Sequence, residues 1–131
     1  AIKAAGSVAQ NALRYACDQR GLPYVWGGNG PSDGGFDCSG LTSVAYSTAG
    51  VKLPRTADAQ FRAGPQVPAG QPLHVGDLVF FGNESDIHHV GIYLGAGMML
   101  DAPDFGQVVK IESYQLSDYF GATRPAAAAS A

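Results

Sequence analysis

A thiol becomes a useful nucleophile when a base can take its proton and a third group orients that base. Cys38, His89 and Asp101 supply those residue types. Cys38 follows an aspartate in Asp37-Cys38-Ser39-Gly40. Aspartate is a favoured helix cap, so Cys38 is expected in a first helical turn, where unpaired backbone donors and the positive dipole end favour a thiolate. The Cys38 N–H would there help hold an oxyanion, and Gly34, Gly35 and Gly40 would let the backbone approach a substrate closely. A small buried thiol at a helix start fits the same four residues, so they leave both readings open.

The base is expected on a strand. Along Ile87 to Leu94 the even positions His88, Val90, Ile92 and Leu94 form the more apolar set, and His89, Gly91 and Tyr93 take the other face. His88 therefore shares a face with core residues, and His89 is the better candidate for a cleft. A turn near Gly95 or Ala96 would bring Asp101 opposite His89 or one diagonal step away, on the same face. Asp101 would accept a hydrogen bond from the imidazole and leave the other ring nitrogen for the thiol. His74, in a loop beside proline, is incidental.

These residues need helices and strands to hold them. Ala9, Ala12, Leu13, Ala16 and Cys17 recur at helical spacing before Gly21 and Pro23, which predicts a helix over residues 7–20 with Cys17 in the core. Residues 27–35 are too glycine-rich to read as regular structure, although the aromatic groups of Tyr24 and Trp26 could line a cleft. The helix after Asp37 carries Leu41, Val44, Ala45 and Thr48 on one face and ends at Gly50. Residues 56–62 read as a short helix or turn and 65–72 as a surface loop, neither adding to the core. Strands are expected over 78–81, 87–94, 98–102, 108–111 and 120–124. Helices followed by a strand meander give an α+β domain with helices packed on an antiparallel sheet.

The chain has 131 residues, 46% of them hydrophobic, which suits one domain over residues 1–124 followed by a low-complexity, disordered tail or linker stump, 125–131. A net charge of −3 without a basic stripe argues against nucleic acid. No apolar run approaches the roughly 20 residues that span a bilayer, and no secretory leader is recognisable at Ala1, so the sequence reads as a processed or excised piece. The different settings of Cys17 and Cys38 argue against a disulfide. No metal or cofactor is called for.

Five ordered blocks then carry a resemblance: Tyr24-Val25-Trp26-Gly27-Gly28; Gly35-Phe36-Asp37-Cys38-Ser39-Gly40-Leu41; Leu53-Pro54-Arg55-Thr56 with Gln60; Gly76-Asp77-Leu78-Val79-Phe80-Phe81; and His89-Val90-Gly91-Ile92-Tyr93-Leu94-Gly95. Together they resemble the NlpC/p-sixty peptidases over nearly the whole chain, and among them the mycobacterial cell-wall endopeptidases associated with resuscitation-promoting factors. The resemblance implies a papain-like α+β fold. It also implies hydrolysis of peptidoglycan stem peptides, commonly between D-γ-glutamate and meso-diaminopimelate, by a secreted, cell-wall or periplasmic protein, here expected to be monomeric. Carried over by position, Cys38 is the nucleophile, His89 the base and Asp101 the third member, where the family more often has His, Asn, Gln or Glu. Tyr24 matches a cleft-forming tyrosine, Asp37 and Ser39 match positions bordering the stem peptide, and Arg55 and Thr56 match another cleft segment. The alternatives are a non-catalytic peptidoglycan-binding module and a papain-like acyltransferase or lipid-acting relative using the same nucleophile.

Overall fold

The computed structural model describes residues 6–103 and 106–130; the start of the chain at Ala1, where no secretory leader is recognisable in the sequence, and Ala131 lie outside them. Helix α1 (Ser7–Asp18) buries Ala9, Ala12, Leu13 and Ala16, the stripe that its spacing predicts. It stops two residues short of Arg20, and Gly21 follows at φ +91°. Cys17 is half-buried at the rim of the core rather than inside it. Both cysteines are free.

The glycine-rich stretch is regular structure after all. Strands β1 (Asn29–Gly30) and β2 (Gly35–Phe36) pair as a small hairpin around a 3₁₀ turn at Pro31–Asp33. A Cβ on Gly35 would lie 1.9 Å from the Pro23 carbonyl oxygen, so glycine is required there by packing of chain against chain. The same holds at Gly40, where a Cβ would lie 2.1 Å from the Gly28 carbonyl oxygen. These two glycines serve internal approach, not the approach of a substrate that the sequence suggested.

Helix α2 (Cys38–Thr48) packs on α1 and buries Leu41, Thr42, Ala45 and Tyr46; Val44 is only half-buried and Thr48 is exposed. Helix α3 (Ala57–Ala63) begins at a Thr56 cap, whose Oγ1 accepts from the Ala59 N–H at 3.2 Å. Contrary to expectation it joins the core: Ala57 and Phe61, one turn apart, are buried, and the Phe61 ring meets Phe80 and Phe120 edge-on at 5.3 Å. The expected loop that follows also contains a strand, β3 (Gln66–Val67).

The remaining strands are β4 (Leu78–Asn83), β5 (Asp86–Gly95), β6 (Met98–Asp101), β7 (Lys110–Ser113) and β8 (Tyr119–Thr123). With β3 they form one antiparallel sheet in the order β3-β8-β4-β5-β6-β7. Leu78, Phe80, Val90, Ile92 and Leu100 belong to the cluster that packs under the helices, while Val79, Phe81 and Met99 alternate into a smaller cluster on the other face. Strand alternation thus makes an α+β domain with two unequal apolar layers. Residues 125–131, set apart as a disordered tail, include a short helix α4 (Pro125–Ser130) near α1, with proline at its first position, where a missing N–H is tolerated.

Buried Asp77 locks the sheet across its strands. It accepts from Arg124 Nε at 2.9 Å and Nη2 at 3.0 Å, and from the His74 N–H at 2.8 Å, tying the entry of β4 to the exit of β8. His74 contributes its backbone here.

Phe80 is fully buried between α3 and the sheet. Phe80→Ala is expected to destabilise the domain by about 3–5 kcal/mol, read as a lowered urea midpoint at unchanged slope.

Candidate active site

Cys38 opens α2, as the sequence predicts. Its cap, Asp37, is nearly buried and fully engaged: Oδ1 accepts from the Gly40 N–H at 2.6 Å, and Oδ2 accepts from the Gly27 N–H at 3.1 Å and Arg55 Nη2 at 3.0 Å. Arg55 Nη1 also donates to the Ser39 hydroxyl at 2.8 Å. Asp37, Ser39 and Arg55 therefore fix the helix start to the preceding loop, and Thr56 caps α3. All four line a cavity beside Cys38, together with the exposed Trp26.

The base side is built by β5. Phe81 pairs with His89 and Gly82 with Ile87, so His88 is an extra residue, a β-bulge. Ile87 and Val90 both point into the core, whereas His88 is left outside, with Nε2 3.3 Å from Asp118 Oδ2. The expectation that His88 shares the apolar face fails because the bulge interrupts the alternation. The bulge also presents the His88 carbonyl to the thiol, with Cys38 Sγ 4.0 Å from that oxygen.

His89 comes next, with a side chain 12% exposed. Its Nε2 lies 2.8 Å from Asp101 Oδ2, and Cys38 is close enough to the ring to raise its pKa. Ile92 pairs with Leu100 and Tyr93 with Met99, a register that puts Asp101 one diagonal step from His89, within the range predicted from the turn. Asp101 is completely buried, and its Oδ1 has no donor among the hydrogen bonds of the described residues. An acceptor left in that state costs about 1–3 kcal/mol.

Burial of the His89 ring opposes its protonation. Hydrogen bonds with Asp101 and Cys38, and the negative charge on each, outweigh that penalty, and the pKa rises from 6.5 to about 9. A difference of that size corresponds to roughly 3 kcal/mol in favour of the imidazolium. The arrangement holds a cationic ring beside the Cys38 sulfur at neutral pH. By contrast, burial pushes the Cys17 thiol up, away from reactivity.

Tyr24, Cys38 and His88 border two cavities, of about 440 and 510 Å³, which together form a cleft across the thiol. A larger cavity of about 640 Å³, lined by Phe61, Arg62, Tyr114 and Tyr119 among others, contains none of the candidate residues, so size does not locate the chemistry. Among the described residues no cluster of three or more His, Cys, Asp or Glu is arranged to hold a metal ion.

The NlpC/P60 family model matches residues 21–124. The peptidoglycan endopeptidase RipA of Mycobacterium tuberculosis is 40% identical over 114 residues, covering 79% of this chain and 24% of that protein. The gamma-D-glutamyl-L-lysine dipeptidyl-peptidase of Bacillus subtilis is 45% identical over 106 residues, covering 79% of this chain and 35% of that protein. The chain thus spans about a quarter to a third of these relatives' length. The peptidoglycan hydrolase RipB of Mycobacterium tuberculosis superposes with a TM-score of 0.80 at 34% identity, over 89% of this chain and 64% of that one. RipD of the same organism, described as a non-catalytic NlpC/p60 domain protein adapted to peptidoglycan binding, superposes with a TM-score of 0.79 at 32% identity, over 92% and 98%. With these neighbours the fold is papain-like α+β.

Asp101→Asn keeps the shape but removes the charge that faces His89. The ring pKa is expected to fall from about 9 by at least one unit, roughly, as burial gains ground, and an NMR titration of the imidazole checks this. An unchanged value would show that the carboxylate does not hold the proton on the ring.

Proposed function

The chain belongs to the NlpC/P60 family, and on that premise we propose that it is a peptidoglycan endopeptidase in which Cys38 is the nucleophile, His89 the base and Asp101 the residue that orients it. The observation that carries this reading is the convergence of the three side chains from α2, β5 and β6: the ring is hydrogen-bonded to Asp101, and it lines one cavity with Cys38, which acts on its pKa. A wall-binding module would not need a buried carboxylate to keep a second proton on an imidazole beside a thiol.

In this mechanism the Cys38 sulfur attacks the carbonyl carbon of a stem-peptide bond, and the oxyanion is held by the Cys38 N–H in the first turn of α2. His89 gives its proton to the leaving nitrogen, the C–N bond breaks and a thioester remains. His89, now neutral, takes a proton from water, which attacks the thioester and releases the acid. The protonated ring then restores the ion pair with the freed sulfur. Asp101 keeps Nε2 occupied throughout, so the other ring nitrogen faces the reaction.

The proposed scissile bond follows D-γ-glutamate, with meso-diaminopimelate on the leaving side. The γ-D-glutamyl specificity in the name of the Bacillus subtilis relative supports the first half of that assignment. Tyr24, Asp37, Ser39, Arg55 and Thr56 would line the stem-peptide site, with Tyr24 as the wall shared by both halves of the cleft. Peptidoglycan lies outside the cytoplasmic membrane, so the protein would act in the wall or periplasm. Among the described residues no helix is long and apolar enough to cross a membrane.

The likeness to RipD favours a second reading, peptidoglycan binding without turnover. Incubation with purified peptidoglycan separates the two. Wild type is expected to release new amino groups and Cys38→Ala none above background, while Cys38→Ala still sediments with the insoluble wall. Equal release by both proteins, or none by either, would remove the enzymatic reading. On the alkaline side the rate is expected to decline as the pH passes about 9, because deprotonated His89 no longer protonates the leaving nitrogen.

A further inference from the structure

We propose that Glu112 is a positioning residue of the active site, a protonated carboxylic acid that donates its hydrogen to the buried Oδ1 of Asp101 and thereby fixes the carboxylate that holds His89. This rests on the role proposed for Asp101, and it adds a fourth member to the chain of contacts that begins at the thiol.

Two geometric observations carry it. Asp101 is fully buried, its Oδ2 is occupied by His89, and its Oδ1 has no other donor among the described residues. In the β6–β7 register Asp101 pairs with Lys110 and Met99 with Glu112, which puts the Glu112 side chain on the same face as Asp101 and one diagonal step away. The diagonal brings the two carboxyl groups within interacting distance of each other. Two ionised carboxylates cannot hydrogen-bond to each other, because neither brings a proton.

One proton resolves both difficulties. Asp101 already stabilises the imidazolium and so favours its own charge, which leaves Glu112 as the group that keeps the hydrogen. Burial, then the hydrogen bond and the charge of Asp101, push the Glu112 carboxyl up to about 7. Lys110, whose Nζ lies 4.0 Å from Glu112 Oε1, and the His89 ring act in the opposite direction. His88 and Asp118 border the same cavity and are already paired with each other. When Glu112 does lose its proton, two like charges face each other and Asp101 loses its hold.

The first test does not depend on catalysis. In a carboxyl carbon NMR titration of the folded protein, Glu112 is expected to titrate near 7, and to fall by at least about one unit in Asp101→Asn, whose amide needs no proton from it. A Glu112 that titrates like an exposed glutamate and ignores Asp101→Asn would overturn the proposal, whether or not the protein cleaves peptidoglycan.

The second test uses turnover of peptidoglycan fragments. Glu112→Ala is expected to lower kcat by about tenfold with KM within about twofold, and Glu112→Gln, which keeps a donor, to recover most of that loss. Glu112→Gln should also lose whatever part of the wild-type pH profile follows the Glu112 titration. Equal loss in both variants with an unaltered pH profile would indicate a merely structural residue and sink the proposal. If Glu112→Ala does not fold, the Gln profile and the titration still decide.

Discussion

A thiol at a helix start can work with a neighbouring ring only if the two do not drift apart, and here one carboxylate sets that limit. Asp37 accepts from Gly40 in its own helix, from Gly27 in the preceding loop and from Arg55 ahead of α3. Hydrogen bonds that involve a charged group contribute roughly 1.5–3 kcal/mol each, and these three converge on a nearly buried side chain. They leave Cys38 little freedom relative to the cleft wall formed by the loop. Gln60 reinforces the same corner from α3: its amide donates to the Ser39 and Pro54 carbonyls, and its oxygen accepts from Thr42. The residue types that border the thiol are therefore those needed to hold it, and any contact with a peptide would be made by groups that are already in place.

The other half of the site depends on one extra residue in β5. In a regular strand Ile87 and Val90 would face opposite sides of the sheet, and one of them would leave the core. The bulge at His88 lets both be buried and turns a carbonyl toward the sulfur. His89 then takes the less covered face beside Phe81, whose ring lies 5.4 Å away, centroid to centroid. Two adjacent histidines thus acquire different environments, one paired with Asp118 near solvent and one enclosed between a thiol and a buried acid.

The parts of this arrangement that were legible in the sequence are those governed by local rules. An aspartate before the cysteine predicted the cap, and period-two alternation with a tight turn predicted the shared face of His89 and Asp101. Long-range pairing was not legible. The β1–β2 hairpin is hidden because glycine density reads as irregular chain, while Gly35 is there to let Pro23 approach. The core role of Phe61 is hard to read because α3 is short and mostly polar, so its apolar pair, Ala57 and Phe61, makes a weak pattern. The bulge at His88 has no sequence signal of its own. Glu112 lies beyond a connection whose length does not fix the register of β7, and only that register brings it to Asp101.

Asp101 stands where the family resemblance implies His, Asn, Gln or Glu more often, and the neighbouring glycine explains how so short an acid reaches His89. Gly91 lies beside Asp101 on the adjacent strand, where a Cβ would come within 3.3 Å of the Asp101 Cβ and 2.7 Å of Met99 Sδ. With no side chain between them, the carboxylate can lean along the sheet toward His89, two residues back, and reach 2.8 Å. A larger residue at 91 would fill that diagonal and separate acid from ring. The reach of the acid is therefore a property of the pair rather than of Asp101 alone. A short acid beside a glycine places its charge deeper in the sheet, where burial makes an unpaired carboxylate oxygen more costly and a neighbouring proton donor more valuable.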